Sequence, residues 1–148
     1  MRPGIRIGVD VGKARVGVAR SDALGLMAVP VITLARATAI EDLAILADQF
    51  EAIEFVCGLP VSLDGSDTAS TVDARNFAVE LSQATGVAVR LVDERLTTVT
   101  AQNALRDATH SQKSSRPVID QVAATILLDN ALNAERSGVT MGETVGDS

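Results

Sequence analysis

Three acidic positions, far apart in the chain, carry the chemistry this sequence could do. The first is Asp10, in the run IRIGVDVGKARVGVAR, where Ile5, Ile7, Val9 and Val11 alternate with Arg6, Gly8, Asp10 and Gly12. Strands disfavour Asp, and the immediate same-face neighbours of this one, Gly8 and Gly12, are glycines. Glycine in a strand often marks the close approach of a ligand or another backbone. Lys13 and Arg15 follow directly. The second position is Asp93-Glu94-Arg95, at the end of an apolar run. Adjacent strand side chains point to opposite faces, so one of these acids is available to a metal while the other supports the loop. The third is Asp120, which opens the stripe Asp120, Ala123, Ala124, Leu127, Leu128, Ala131 at helical spacing. Each position also has a plainer reading: a solvated edge-strand Asp, a charged turn, and a carboxylate favoured by a helix dipole. Together, the three suit a divalent-cation site, because Mg²⁺ prefers oxygen ligands. Two such ions can activate water and stabilise the leaving oxygen in phosphodiester cleavage. Lys13, Arg15 and Arg95 would then meet phosphate.

The elements that must position these residues are legible as periodicities. The alternation around Asp10, a tight Gly12-Lys13-Ala14 connection and a second alternation through Val16 and Val18 predict a β-hairpin. Met27 to Ala35 reads as a third strand, and Pro30 puts it at a sheet edge. Ile40, Leu43, Leu46, Ala47 and Phe50 recur at helical spacing between Ala39 and Phe50. Ile53 to Leu59 is a short buried strand, ended by Pro60. After the loop Val61 to Ser66, Asp67, Thr68 or Ser70 caps a helix to about Thr85, with Val72, Phe77 and Leu81 inward and Gly86 as its stop. Val87 to Val92 is a fifth strand. Thr97 or Thr98 caps a helix through Leu105, Thr109 to Ser115 is polar, and a last helix runs from about Pro117 to Arg136. The expected architecture is α/β: a mixed five-stranded sheet with helices on both faces. Residues 1–137 form a single domain, and 138–148 a flexible tail without apolar periodicity.

Composition narrows the classes of function. The chain has 148 residues, 47% apolar, with 2% aromatic residues and neither Trp nor Tyr. Its core must therefore be aliphatic, and base stacking on aromatic platforms is not its way of holding nucleic acid. No apolar run approaches the ~20 residues of a membrane span, and the expected location is the cytoplasm. The net charge of −6 hides a polarity: residues 1–20 carry Arg2, Arg6, Lys13, Arg15 and Arg20 against Asp10 alone, whereas residues 36–89 carry Arg36 and Arg75 against nine acids. Such a chain can hold one basic face on an acidic protein. His110, the only histidine, falls in the polar stretch, and Asp22 at the end of the second strand is either a support for the site or a turn residue. Cys57, the only cysteine, reads as a core thiol, with a disulfide-linked dimer as the alternative.

GVDVGKARVGVARSD, the GLP after the buried strand, DERLTT and the final IDQVAA, in that order over roughly residues 5–135, resemble the YqgF/RuvX family of RNase H-like nucleases. The resemblance implies an RNase H-like fold and a nuclease that uses Mg²⁺ or Mn²⁺, with Asp10, Glu94 and Asp120 at the family's acidic positions. It also implies a nucleic-acid partner. The family is associated with maturing the 5′ end of the small-subunit ribosomal RNA precursor and is similar in fold to Holliday junction resolvases. The GLP region lacks the acid those resolvases carry at this strand end. A junction-cutting DNA nuclease would need two sites, hence a homodimer; for the chain itself, monomer and homodimer both stay open. An ATP-binding protein with an actin-like hairpin, and a non-catalytic ribosome-associated module, are the readings from other classes.

Overall fold

The computed structural model describes residues 2–94, 116–138 and 142–145. Arg95, the helix expected after Thr97 or Thr98, and the polar stretch with His110 lie outside the described residues. The elements are β1 (Arg6–Val11), β2 (Arg15–Ser21), β3 (Ala28–Ala35), a 3-10 turn (Arg36–Thr38), α1 (Ala39–Phe50), β4 (Glu54–Leu59), α2 (Ala69–Thr85), β5 (Ala88–Asp93), α3 (Arg116–Arg136) and β6 (Glu143–Val145). The sheet order is β3-β2-β1-β4-β5-β6. β1, β4 and β5 run parallel, and β2, β3 and β6 join antiparallel. β3 is an edge strand, as Pro30 requires, since proline cannot donate to a neighbour.

Among the described residues the sheet has six strands rather than five, because part of the segment expected to be a flexible tail returns to the edge of β5. Thr144 and Val145 are β-branched and pair with Arg90 and Val89, and Val145 packs against the core. Gly142, at φ +70°, brings the chain back so closely that a side chain there would run into the Leu91 carbonyl. Three residues are too short a run to show periodicity, so the sequence pattern misses them.

One face of the sheet carries the main core. Ile7, Val9, Val16, Val18, Phe55, Cys57, Val89 and Leu91 meet Leu43 and Ala47 of α1 and Ala74, Phe77, Ala78 and Leu81 of α2. Each large aliphatic side chain fully buried here contributes about 1.5–3 kcal/mol. Thr68 caps α2 through a reciprocal box: its hydroxyl accepts from the Thr71 N–H, and its own N–H donates to Thr71 Oγ1 at 2.9 Å. Gly86, at φ +72°, ends the helix in the left-handed conformation. Val72, expected inward, lies half exposed, because the buried stripe of α2 runs through Thr71, Ala74, Phe77, Ala78 and Leu81 and leaves Val72 on the opposite side of the helix.

The opposite face is covered by α3 alone among the described helices, and the packing there is thin. Ala19, Val56 and Val92 meet Ala124, Leu127, Leu128 and Leu132. What lets the helix lie so close is the bare α-carbons beneath it. A Cβ on Gly17 would sit 2.1 Å from the Asp120 carbonyl oxygen, and one on Gly8 would sit 2.8 Å from that of Ala124. Asp129 Oδ1 accepts from the Ala28 N–H at 2.8 Å, and Gln121 Nε2 donates to Thr33 Oγ1 at 3.1 Å, which ties the helix to β3.

The obstruction at Gly17 is main chain, which cannot rotate away. Gly17→Ala is therefore expected to cost about 2–3 kcal/mol, seen in urea denaturation as a lower midpoint with an unchanged slope. A variant as stable as wild type would show that α3 does not rest on β2 at this point.

Candidate functional site

Asp10, Glu94 and Asp120 come to one end of the sheet. Asp10 lies on β1 with Gly17 as its antiparallel partner on β2, and Gly17 is the residue on which the Asp120 backbone rests. On the other side, β1 and β4 pair in parallel through Val9 and Cys57, so Gly58 is the next residue of β4 alongside Asp10. A Cβ on Gly58 would lie 2.5 Å from Glu94 Oε1, so the Glu94 carboxylate occupies the space that this glycine leaves open. The room around Asp10 is thus cleared chiefly from the neighbouring strands. Of the two glycines that flank Asp10 in sequence, Gly8 underlies Ala124 and Leu128, while Gly12 closes the hairpin turn, its N–H donating to the Arg15 carbonyl at 2.9 Å.

The electrostatics follow from this crowding. Burial, then the charges of Glu94 and Asp120, push the Asp10 carboxyl up from its ordinary 3.8 to about 7. Glu94 is exposed as a residue, yet its carboxyl is also raised, by desolvation and then by the adjacent Asp93. Asp120 is held differently: Arg15 Nε donates to its Oδ2 at 2.9 Å. Lys13 is exposed on the turn just beyond Asp10. Among the described residues, no three His, Cys, Asp or Glu side chains are gathered closely enough to hold an ion as they stand. The donor set nonetheless fits a hard cation. It offers only carboxylate oxygens, and the one at its centre is disfavoured as an anion by its own neighbours, a penalty that positive charge would relieve.

Other sequence-predicted candidates fall elsewhere. Asp22 organises the β2–β3 turn, accepting from the N–H groups of Met27, Leu26 and Leu24, with Met27 foremost in holding its carboxyl below the usual range. The single basic face expected from residues 1–20 does not form. Arg6 is buried beside Glu135, and Arg2 reaches both Glu54 and Glu135. Arg90 Nη2 pairs with Glu54 at 2.9 Å, completing a network at the end of the parallel strands opposite the site. Arg20 stacks on the Phe50 ring at 5.1 Å. Of that group, Arg15 contacts an acid of the site, Asp120, while Lys13 lies exposed on the turn that follows Asp10. Cys57 is fully buried in the α1–α2 face of the sheet, and burial pushes its thiol up to about 12. A disulfide between two folded chains at this residue is therefore sterically closed and chemically disfavoured. Arg95 lies outside the described residues. The residue that sequence reading passed over is Arg36, which holds the site's hairpin turn through a contact that no local pattern encodes.

A family model described as "RuvX: Holliday junction resolvase" matches residues 4–134. Similar proteins named "Putative pre-16S rRNA nuclease" include one from Clavibacter michiganensis subsp. michiganensis, 51% identical, covering 93% of this chain and 88% of that protein. Another with that name, from Thermobifida fusca, is 47% identical and covers 92% and 91%. Among solved structures, Thermus thermophilus RuvC in complex with a Holliday junction substrate superposes with a TM-score of 0.62 at 17% identity, over 95% of this chain and 99% of that one. The RNase H-like fold expected from the sequence is therefore the fold found.

The raised Asp10 carboxyl fixes a sign for stability. Between its ordinary value near 3.8 and its folded value of about 7, the folded chain holds a proton that the unfolded chain has released. Stability is thus lost as pH rises through that window, and no more is lost above it. Asp10→Asn is expected to be more stable than wild type at pH 8 by on the order of 4 kcal/mol, and equally stable near pH 4. Equal urea midpoints at both pH values would show a solvated carboxylate.

Proposed function

The chain belongs to the RuvX family, and on that premise we propose that it is a divalent-metal-dependent nuclease that hydrolyses phosphodiester bonds, acting in the 5′-end maturation of pre-16S ribosomal RNA in the cytoplasm. The observation that carries this reading is Asp10: a carboxylate crowded by Glu94 and Asp120, with Lys13 and Arg15 at the same end of the sheet. The relatives' name supplies the substrate. Asp10, Glu94 and Asp120 are the catalytic residues and would hold Mg²⁺ or Mn²⁺. When bound, the cation supplies positive charge for activating a water and for offsetting charge on the leaving oxygen.

The remaining work falls to the chain's own groups. Asp10, with a carboxyl near 7, sits at the balance point of its two protonation states at neutral pH, so a nearby positive charge shifts it to the ionised, ligating form. Arg15 orients Asp120 through its Nε contact and leaves the other guanidinium nitrogens to face a phosphate. Lys13, exposed at the turn, adds a point charge for the substrate backbone, and Arg95 is assigned the same duty. No helix among the described residues is long and apolar enough to cross a membrane.

The second reading is a Holliday junction-resolving endonuclease acting as a homodimer, favoured by the description of the family model. Against it, β4 ends in Gly58-Leu59 and brings no carboxylate of its own to the site, and Cys57 cannot link two folded chains. A monomer suffices for the RNA reading.

Labelled pre-16S rRNA carrying its 5′ extension and a four-way DNA junction, each with Mg²⁺, Mn²⁺ or EDTA, separate the two. The expected result is cation-dependent cutting of the RNA that falls about a hundredfold or more in Asp10→Asn. Preferential cutting of the junction would move the assignment to the second reading. Binding of both nucleic acids without cleavage, equal in wild type and variant, would leave a non-catalytic ribosome-associated module.

A further inference from the structure

The turn Gly12-Lys13-Ala14-Arg15 carries Arg15, which contacts Asp120, and the exposed Lys13, and as an exposed hairpin tip it would ordinarily be mobile. Here it is gripped from both sides by one residue. The Arg36 N–H donates to the Ala14 carbonyl at 3.0 Å, and Arg36 Nη1 donates to the Gly12 carbonyl at 2.8 Å. Lys13 is the residue between the two held carbonyls. The guanidinium is itself fixed on its remaining sides. Nη1 and Nη2 meet Asp73 Oδ2 and Oδ1 of α2 at 3.0 and 2.9 Å, and its plane lies over the buried Phe77 ring at 4.9 Å. The Arg36 hydrogen bonds and, less strongly, the charges of Arg36 and Lys13 hold the Asp73 carboxyl below its usual range, which places Lys13 within reach of the same network.

A staple between the β3–α1 corner and α2 would need only the Arg36–Asp73 pair. The donation to Gly12, on an element the pair does not belong to, is what such a staple leaves unexplained. We propose that Arg36, braced by Asp73 and Phe77, is a positioning residue that fixes the Gly12–Arg15 turn so that Lys13 meets the substrate phosphate in a set orientation. Fixing the turn before binding lowers the ordering cost that binding would otherwise meet. Arg is suited to the task because its planar fork serves a bidentate carboxylate and a third acceptor at once; Lys cannot do so from one point charge.

The proposal rests on the reading of this end of the sheet as a phosphodiester site, and the test separates the two. Binding of a short structured RNA is measured over a salt series for wild type, Arg36→Gln, Lys13→Ala and the double variant, at a temperature where melting shows all four folded. Each single change is expected to weaken binding roughly tenfold and to reduce the salt slope by about 1. The double variant should bind no worse than the weaker single variant, because Arg36 acts through Lys13. Losses that multiply to about a hundredfold, or an Arg36→Gln that binds as wild type does, would overturn the clamp while leaving the site assignment standing. Wild type that does not bind RNA at all would overturn the site assignment itself. Should Arg36→Gln not fold, Asp73→Asn takes its place, with a smaller loss that again must not add to that of Lys13→Ala. A purely structural Arg36 would lower the melting temperature and leave the salt slope unmoved.

Discussion

The approach of α3 to the sheet at Gly17 is the constraint on which the rest depends. Where the helix backbone lies against a strand with no side chain between them, the residue at that point of the helix is delivered to whatever stands across the sheet. That residue is Asp120, and Gly17 is the cross-strand partner of Asp10. A second bare position, Gly58, admits Glu94 from the end of β5. Two carboxylates are thereby brought to a third that is already partly withdrawn from water, an arrangement that opposes folding. The main core on the opposite face, with Phe55, Leu43, Leu81 and the inward valines, supplies the burial that offsets it. The larger core and the acids thus lie on different faces of one sheet.

Charge is divided along the strands in the same way. At the beginning of the parallel strands, Arg2, Arg6 and Arg90 share Glu54 and Glu135 in one network of ion pairs. At the far end, Arg15 serves Asp120, while Asp10 is driven up by burial and by the acids around it. A carboxyl raised by burial and by neighbouring acids is a common mark of a functional site. The net charge of −6 says little about nucleic-acid binding, since a few well-placed cations beside a cation-seeking acid cluster decide the local field.

Much of this was legible in the sequence, for local reasons. Alternation located the Asp10 hairpin, Pro30 marked the edge strand, a Thr and a Gly bracketed α2, and the stripe that begins at Asp120 announced a helix face with an acid at its head. What was not legible depended on register or on contacts across the chain. That Gly17 and Gly58, more than Gly12, clear the space around Asp10 requires knowing which residues stand opposite one another. β6 is too short to show a period, and its membership in the sheet follows from an available edge. The basic residues of the first segment looked like one surface because their partners, Glu54 and Glu135, are distant in sequence. Arg36 and Asp73 each look like ordinary surface charges until the hairpin turn is placed between them.

The central claim is that the sheet and α3 crowd Asp10 until its carboxylate is unfavourable without a cation. The most direct test is a ¹³C NMR titration of the Asp10 carboxyl, with and without Mg²⁺. The account predicts a midpoint of about 7 in the metal-free protein, falling by about one unit or more when Mg²⁺ is added. A midpoint in the ordinary carboxylate range, unmoved by Mg²⁺, would contradict it.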